Sequence, residues 1–223
     1  MDKKVVFFDF CETLVNFQTA DGFVDFVREA SGKKRMRNLE ILQKLLIKMR
    51  FFAVCYKIFP KKAIEKRFKL FQIRGFSKDG LDEYAKLFYN QKIKSNFIQD
   101  IFQKFRNHLD DSDKIVIISG GYSIYLKHFV NEFNLPYLFA SEIEFDKNNL
   151  CTGLIKGMDC LYENKVIFIE GHGFERAINT IAYSDSITDL PLLKWVNNGI
   201  VVSRKVPQKW ATQFRLNEIV WSN

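Results

Sequence analysis

Four short fragments of this sequence carry side chains suited to gathering charge at one point. Asp9-Phe10-Cys11-Glu12-Thr13 continues the apolar run that opens at Val5, and Ser119-Gly120-Gly121 continues the run that opens at Lys114. Asp185-Ser186-Ile187-Thr188-Asp189 follows Thr180 to Ser184, and Lys165 lies in Glu163-Asn164-Lys165. Carboxylates are hard oxygen donors for a divalent cation. A Ser-Gly-Gly turn ahead of a helix offers hydroxyl and amide donors to an anion, and a lysine adds positive charge. Singly, each fragment has a plainer reading. Asp9 can cap a strand, Asp185 and Asp189 can face the dipole of a helix start, and Ser119 can be a turn residue. Lys165 can be one surface lysine among many, with Lys156 a rival upstream.

The elements that would position these residues are legible as short apolar runs. VVFFDF (Val5 to Phe10), KIVIIS (Lys114 to Ser119), TIAYS (Thr180 to Ser184) and GIVVS (Gly199 to Ser203) lack polar alternation, as do the shorter YLFA residues from Tyr137 to Ala140. Such runs suit strands buried on both faces of a parallel sheet. Helical patterns lie between them, notably Tyr122 to Phe133 and Phe174 to Asn179. The alternation predicts an α/β body with a Rossmann-like, three-layer α/β/α arrangement. In open sheets of this kind ligands bind beyond the carboxyl ends of the strands, where three of the four fragments fall. Glu142 to Ile155 flanks a polar Asp-Lys-Asn-Asn turn with strand patterns and predicts a β-hairpin.

Between Val15 and His108 the pattern is helical, with polar connectors near Ser31 to Lys34 and Ser77 to Gly80 and a break at Pro60. Ninety residues are too many for one crossover, so residues 16–108 are read as a helical cap inserted into a core formed by residues 1–15 and 109–223. The 223-residue chain carries a formal charge of +8. Residues 33–69 hold 13 Lys or Arg against Glu40 and Glu65, a local +11 on a remainder of −3. A basic segment of this kind attracts anions, whether phosphorylated substrate, lipid head groups or nucleic acid; a solvated helical face is the bland alternative. Ile41 to Phe59 is as long as a membrane span, but Lys44, Lys48, Arg50 and Lys57 interrupt it, which excludes a transmembrane helix. Arg37, Lys44 and Lys48 share one helical stripe while Arg50 and Lys57 fall nearly opposite, so either the helix breaks near Phe51 or its exposed face changes.

Order, strand context and spacing of the four fragments together resemble the four motifs of the haloacid dehalogenase superfamily, in the branch that includes the phosphoserine phosphatases with a helical cap after the first strand. The resemblance spans Lys4 to about Ser203. It implies a Mg²⁺-dependent phosphatase that hydrolyses a phosphomonoester through an aspartyl-phosphate on Asp9. It implies Mg²⁺ held by Asp9, the backbone carbonyl of Cys11 and Asp185, with Asp189 a ligand or a carboxylate behind the ligands. It further implies that Ser119 and the Gly120 N–H grip phosphate oxygens and that Lys165 neutralises Asp9 and the phosphoryl group. The chemistry supports these roles, because a carboxylate can attack an anionic ester only where a cation and positive donors cancel the repulsion.

One position departs from the pattern. Two residues after the nucleophile the family's hydrolases usually carry a second Asp, which protonates the leaving alkoxide and then activates water; here it is Cys11. A thiol titrates near about 8.5 and is a weak hydrogen-bond partner, so slower turnover is expected. Three explanations stand open: a substrate with a good leaving group, a proton from Glu12 or a cap residue, or a catalytically impaired protein that binds a phosphorylated ligand or partner. The basic cap favours a multiply charged substrate, such as a sugar phosphate, a phosphorylated polymer precursor or a lipid phosphate met by peripheral contact with a membrane. No nucleic-acid module is recognised, so no nucleic-acid partner is expected. Cys11, Cys55, Cys151 and Cys160 have no tight paired spacing, and no signal peptide precedes the first strand, which fits a reducing cytoplasm. Cys151, Cys160 and His172 match no zinc spacing. His108 and His128 have no evident acid partner, Gly171-His172-Gly173 reads as a turn before a helix, and Trp195, Trp210 and Trp221 read as packing.

Overall fold

The computed structural model describes residues 3–222 apart from 177 and 178. Seven strands form one sheet: β1 (Val5–Phe8), β2 (Lys114–Tyr122), β3 (Tyr137–Phe145), β4 (Cys151–Lys156), β5 (Thr180–Ser184), β6 (Asn198–Arg204) and β7 (Asn217–Trp221). Their spatial order is β4-β3-β2-β1-β5-β6-β7. All neighbours pair in parallel except β3 and β4, which form the antiparallel hairpin expected around the Asp146 turn. There Asp146 Oδ1 accepts from the amides of Asn148 and Leu150.

The apolar runs sort by alternate residues into two cores, one on each face of the sheet. Val6, Phe8, Ile115 and Ile117 face one core, which holds Phe105 of α6 (Gln99–Asp110) and Phe129 of α7 (Ser123–Glu132). Phe7, Val116 and Ile118 face the other, with Ile169 of α8 (Asn164–Gly171), Leu192 and Leu193 of α9 (Leu190–Trp195) and Ala211 of α10 (Lys209–Gln213). Two covered faces require strands without polar alternation, and the result is a three-layer α/β/α body.

Between β1 and α6 the chain builds α1 (Thr19–Ser31), α2 (Lys34–Lys48), α3 (Phe51–Ile58), α4 (Ile64–Phe71) and α5 (Lys78–Phe88), followed by one π-helical turn at Tyr89–Ile93. Gly32 ends α1 in the left-handed region, and the Ser77 hydroxyl caps α5 by accepting from the Gly80 amide. Both lie in the polar connectors read from sequence. The long basic stretch does break, at Arg50, whose φ of 56° turns the chain between α2 and α3.

Three local expectations are corrected. The stretch from Phe174 is not helical over Phe174–Arg176, because the Phe174 ring packs edge-on against Phe7, Tyr137 and Phe139; its continuation at 177 and 178 lies outside the described residues. Gly171-His172-Gly173 is therefore the turn that ends α8 rather than one that precedes a helix. His108 is not an isolated surface or cap residue: it is buried, with Nδ1 2.8 Å from Asp113 Oδ2 and Nε2 3.1 Å from the Tyr183 hydroxyl.

Candidate active site

β1 ends at the centre of the sheet, beside both β2 and β5, so residues just past these three strands are brought together by register alone. The loop after β1 doubles back tightly. The amides of Leu14 and Val15 both bond the Phe10 carbonyl, and Glu12 takes a φ of 53°, an uncommon conformation for a side chain this large. The turn places Asp9, Cys11 and Thr13 on one side. Asp9, Cys11, Gly120, Lys165, Asp185 and Asp189 line one cleft of about 230 Å³, to which the helical insertion adds Gln18, Asp21, Glu65 and Lys66.

Lys165 enters from the first turn of α8 and is buried. Its Nζ lies 2.8 Å from Asp9 Oδ1 and 2.5 Å from Asp189 Oδ2. Burial by itself disfavours the ammonium, but the Asp189 and Asp9 carboxylates outweigh it and hold the lysine protonated. The Ser184 hydroxyl donates to the same Asp189 oxygen at 2.6 Å. Asp189 thus fixes the lysine in the cleft, whereas Lys156 is exposed on β4, 3.8 Å from Glu142.

Thr13, not singled out from sequence, ties the two acidic fragments. Its hydroxyl lies 3.4 Å from Asp9 Oδ2 and 3.0 Å from Asp185 Oδ1, and it accepts from the Asp185 amide at 3.0 Å. Its place two residues after Cys11, inside the first fragment, was the available signal. Burial raises the Asp9 carboxyl to about 6 despite Lys165. Burial, then Asp9, Glu12 and Asp189, raise Asp185 to about 8. Among the described residues no lysine or arginine pairs with Asp185. Two adjoining carboxylates, the buried Asp9 that Lys165 engages and the half-buried Asp185 that it does not, next to the Cys11 backbone, make a hard-oxygen donor set that fits a divalent ion such as Mg²⁺. Among the described residues no three His, Cys, Asp or Glu side chains form a cluster that could hold a metal ion. Cys151, Cys160 and His172 form none either.

Gly120 and Gly121 carry β2 into α7. A Cβ on Gly121 would stand 2.6 Å from the buried Tyr125 hydroxyl, so close approach there favours glycine, whereas one on Gly120 would press on the movable end of the Leu161 side chain. Ser119 is fully buried behind Gly120. Its Oγ accepts from the Gly121 amide at 3.1 Å and lies 3.7 Å from the Cys11 sulfur. Cys11 Sγ is also 2.8 Å from Thr19 Oγ1, which is 2.8 Å from the Tyr125 hydroxyl. Burial, reinforced by the Asp9 charge, pushes the Cys11 thiol up to about 11. It is a neutral thiol at physiological pH and no nucleophile.

Comparison with known proteins identifies the family and the fold. A phosphoserine phosphatase of Archaeoglobus fulgidus is 24% identical over 208 residues, 92% of this chain and 54% of the relative, so the chain spans about half of that protein's length. A phosphoserine phosphatase of Methanocaldococcus jannaschii is 26% identical over 204 residues, covering 86% of this chain and 82% of the relative. A protein of unknown function from Bordetella pertussis Tohama I has the same fold, with a TM-score of 0.78 at 21% identity over 98% of this chain and 99% of the other. The sequence profile of the haloacid dehalogenase-like hydrolases matches residues 6–194, from β1 through α9 and all four fragments, and the chain belongs to that family.

Proposed function

We propose that this chain is a Mg²⁺-dependent phosphatase that hydrolyses a phosphomonoester through an aspartyl-phosphate on Asp9, with residues 16–108 acting as the cap over the cleft. The observation that carries the reading is Lys165, buried and charged between Asp9 and Asp189 at the floor of an acidic cleft. Both archaeal relatives bear the name phosphoserine phosphatase, which supports a phosphorylated small molecule as substrate.

Asp9, with its carboxyl near 6, is mostly ionised at neutral pH and is aimed by Lys165 on one oxygen and Thr13 on the other. One Asp9 oxygen attacks phosphorus while the bond to the substrate alcohol breaks; water then cleaves the acyl phosphate and returns Asp9. Lys165 spreads positive charge over Asp9 and the incoming phosphoryl group. The Gly120 amide at the cleft wall and the Ser119 hydroxyl behind it are assigned to the phosphate oxygens. Asp9, the Cys11 carbonyl and Asp185 would hold Mg²⁺, which when bound offsets the repulsion between carboxylate and phosphate. Asp189, already engaged by Lys165 and Ser184, is assigned to act on that site through the lysine. The four free cysteines fit a reducing cytoplasm.

The second reading, a phosphate binder with little turnover, is favoured by the neutral Cys11 thiol. One experiment separates the two: a panel of phosphorylated metabolites assayed with and without Mg²⁺, with Asp9→Asn as the blank. Mg²⁺-dependent phosphate release absent from the blank is expected. Mg²⁺-dependent binding without release establishes the second reading, and absence of both refutes the site.

A further inference from the structure

The segment from α2 to Pro60 leaves apolar side chains in water to a degree unmatched elsewhere in the chain. In α2 the exposed Ile41, Leu42 and Leu45, with Met49 just past its end, fall within about 100° of the circumference, with Arg37, Lys44 and Lys48 along one edge. Helix α3, Phe-Phe-Ala-Val-Cys-Tyr-Lys-Ile, buries Phe52 alone. Phe51, Val54, Tyr56 and Ile58 are 45% to 63% exposed. The break at Arg50 gives α3 its own axis, so the opposed stripes of one continuous helix no longer count against a common docking face. Exposed apolar side chains this dense over residues 41–59 mark an interaction surface. Its surroundings select the occupant, because residues 33–69 carry +11 and complement an anionic layer. Among the described residues no helix is long and apolar enough to cross a membrane, so contact would be peripheral.

A second cavity, of about 620 Å³, opens beneath this surface between α3 and α4. Ile47, Phe52, Tyr56, Phe59 and Ile64 give it an apolar lining, and Glu65 and Lys66 line both it and the catalytic cleft. Lys66 is held at that shared wall by Asp159 Oδ1 at 2.5 Å and Ser141 Oγ at 3.0 Å. An apolar cavity thus lies beneath a basic, apolar surface and adjoins the phosphate-handling cleft at Glu65 and Lys66.

From this juxtaposition we propose that α2 and α3 dock on an anionic bilayer and that the substrate is a lipid phosphomonoester, its chain in the α3–α4 groove and its phosphate at Asp9. The proposal rests on the phosphatase reading for its chemistry but not for its binding. The test has two arms. In the first, kcat/KM is measured for a homologous series of soluble n-alkyl phosphates, with para-nitrophenyl phosphate as a chainless reference. A rise of up to about fourfold per added methylene until the groove fills is expected. In the second, flotation is measured with vesicles of phosphatidylcholine containing phosphatidylglycerol. Binding is expected at low salt, about fivefold weaker for each Lys or Arg removed from the surface, and lost at high salt. Ile41→Glu with Val54→Glu, outside the catalytic cleft, should abolish flotation and leave para-nitrophenyl phosphate hydrolysis unchanged.

A flat chain-length profile in an enzyme that hydrolyses para-nitrophenyl phosphate overturns the proposal. So does absence of flotation at low salt, or a lipid-free dimer that the same double variant dissociates. If no phosphoester is hydrolysed, the phosphatase reading alone falls. Binding of a long-chain alkyl phosphonate in preference to methylphosphonate then upholds the lipid assignment, and equal binding refutes it.

Discussion

Cys11→Asp is the substitution that interrogates this site most directly. The Cys11 thiol, raised to about 11 chiefly by burial and then by Asp9, is ionised in only about one molecule in 10⁴ at pH 7. It therefore supplies almost no base to activate water and is a poor acid toward an alkoxide. Positioned acid–base catalysis contributes about 10²- to 10⁴-fold, so that is the deficit the cysteine imposes. An aspartate there meets burial, which lifts Asp9 to about 6, and the Asp9 charge, which together with burial lifts Asp185 to about 8. Its carboxyl would be raised toward neutrality, where it can both give and take a proton. The hydroxyls of Thr19 and Ser119, now near the sulfur, can serve it as donors. The cost is a third carboxylate beside two others, so without Mg²⁺ the variant should melt below the wild type and recover when Mg²⁺ is added. Phosphate release is measured under single-turnover and steady-state conditions. A gain of about 10²-fold or more is expected, concentrated in breakdown of the aspartyl-phosphate. Unchanged rates in both regimes, with the fold intact, would refute the argument that this thiol limits catalysis.

Two further outcomes follow from buried charge. Lys165→Ala leaves Asp9 and Asp189 facing each other without the ammonium that joins them; a loss of about 3 to 5 kcal/mol by urea denaturation is expected, together with loss of phosphate release. Asp113 accepts from the Lys4 amide at 3.0 Å and meets His108 Nδ1 at 2.8 Å. Burial would raise its carboxyl, but the Lys4 amide and His108 outweigh it and hold it below 3.8. A depressed carboxylate contributes stability above its unfolded value that is lost as pH falls through the folded one. Asp113→Asn should therefore cost about 1 to 3 kcal/mol at pH 7, with the two proteins converging as the pH falls through the depressed folded value; a gap that persists in acid beyond it would sink the assignment.

The sheet was legible wherever a strand is covered on both faces, because Val5–Phe8, Ile115–Ile118 and Thr180–Ser184 have no polar alternation to confuse with a helix. β7 escaped notice for the opposite reason: Asn217-Glu218-Ile219-Val220-Trp221 is an edge strand with Trp221 its one buried residue, and its pattern is not that of a core run. Phe174 was misread because an aromatic at helical spacing carries the same signal whether it lines a helix or plugs a gap between rings. His108 and Asp113 are five residues apart across the end of α6, and the turn through Ser112, with φ 58°, brings them together. No periodicity announces such a pair. The site fragments were visible because chain order and strand ends fix them. The second partner of Lys165, Asp189, was not, since it depends on how far one buried side chain reaches.

The polar contacts of Cys11 show what this chain has built where its relatives' pattern places an acid. Sulfur, Thr19 hydroxyl, Tyr125 hydroxyl and Tyr122 amide form a buried relay, with successive separations of 2.8, 2.8 and 3.0 Å. It links the loop after β1, the first helix of the insertion and the start of α7. Each polar group in it has a partner, as burial requires, and the Tyr125 hydroxyl is held where a side chain at residue 121 would strike it. The thiol is 7% exposed at the cleft, with its sulfur within reach of the Thr19 and Ser119 hydroxyls. The position therefore ties the insertion to the core. Glu65 and Asp21, which the insertion brings to the same cleft, are the carboxyls left free of the relay, and burial raises Asp21 above its ordinary value. If the wild type turns over at all, its proton donor is to be sought on the insertion rather than in the loop after β1.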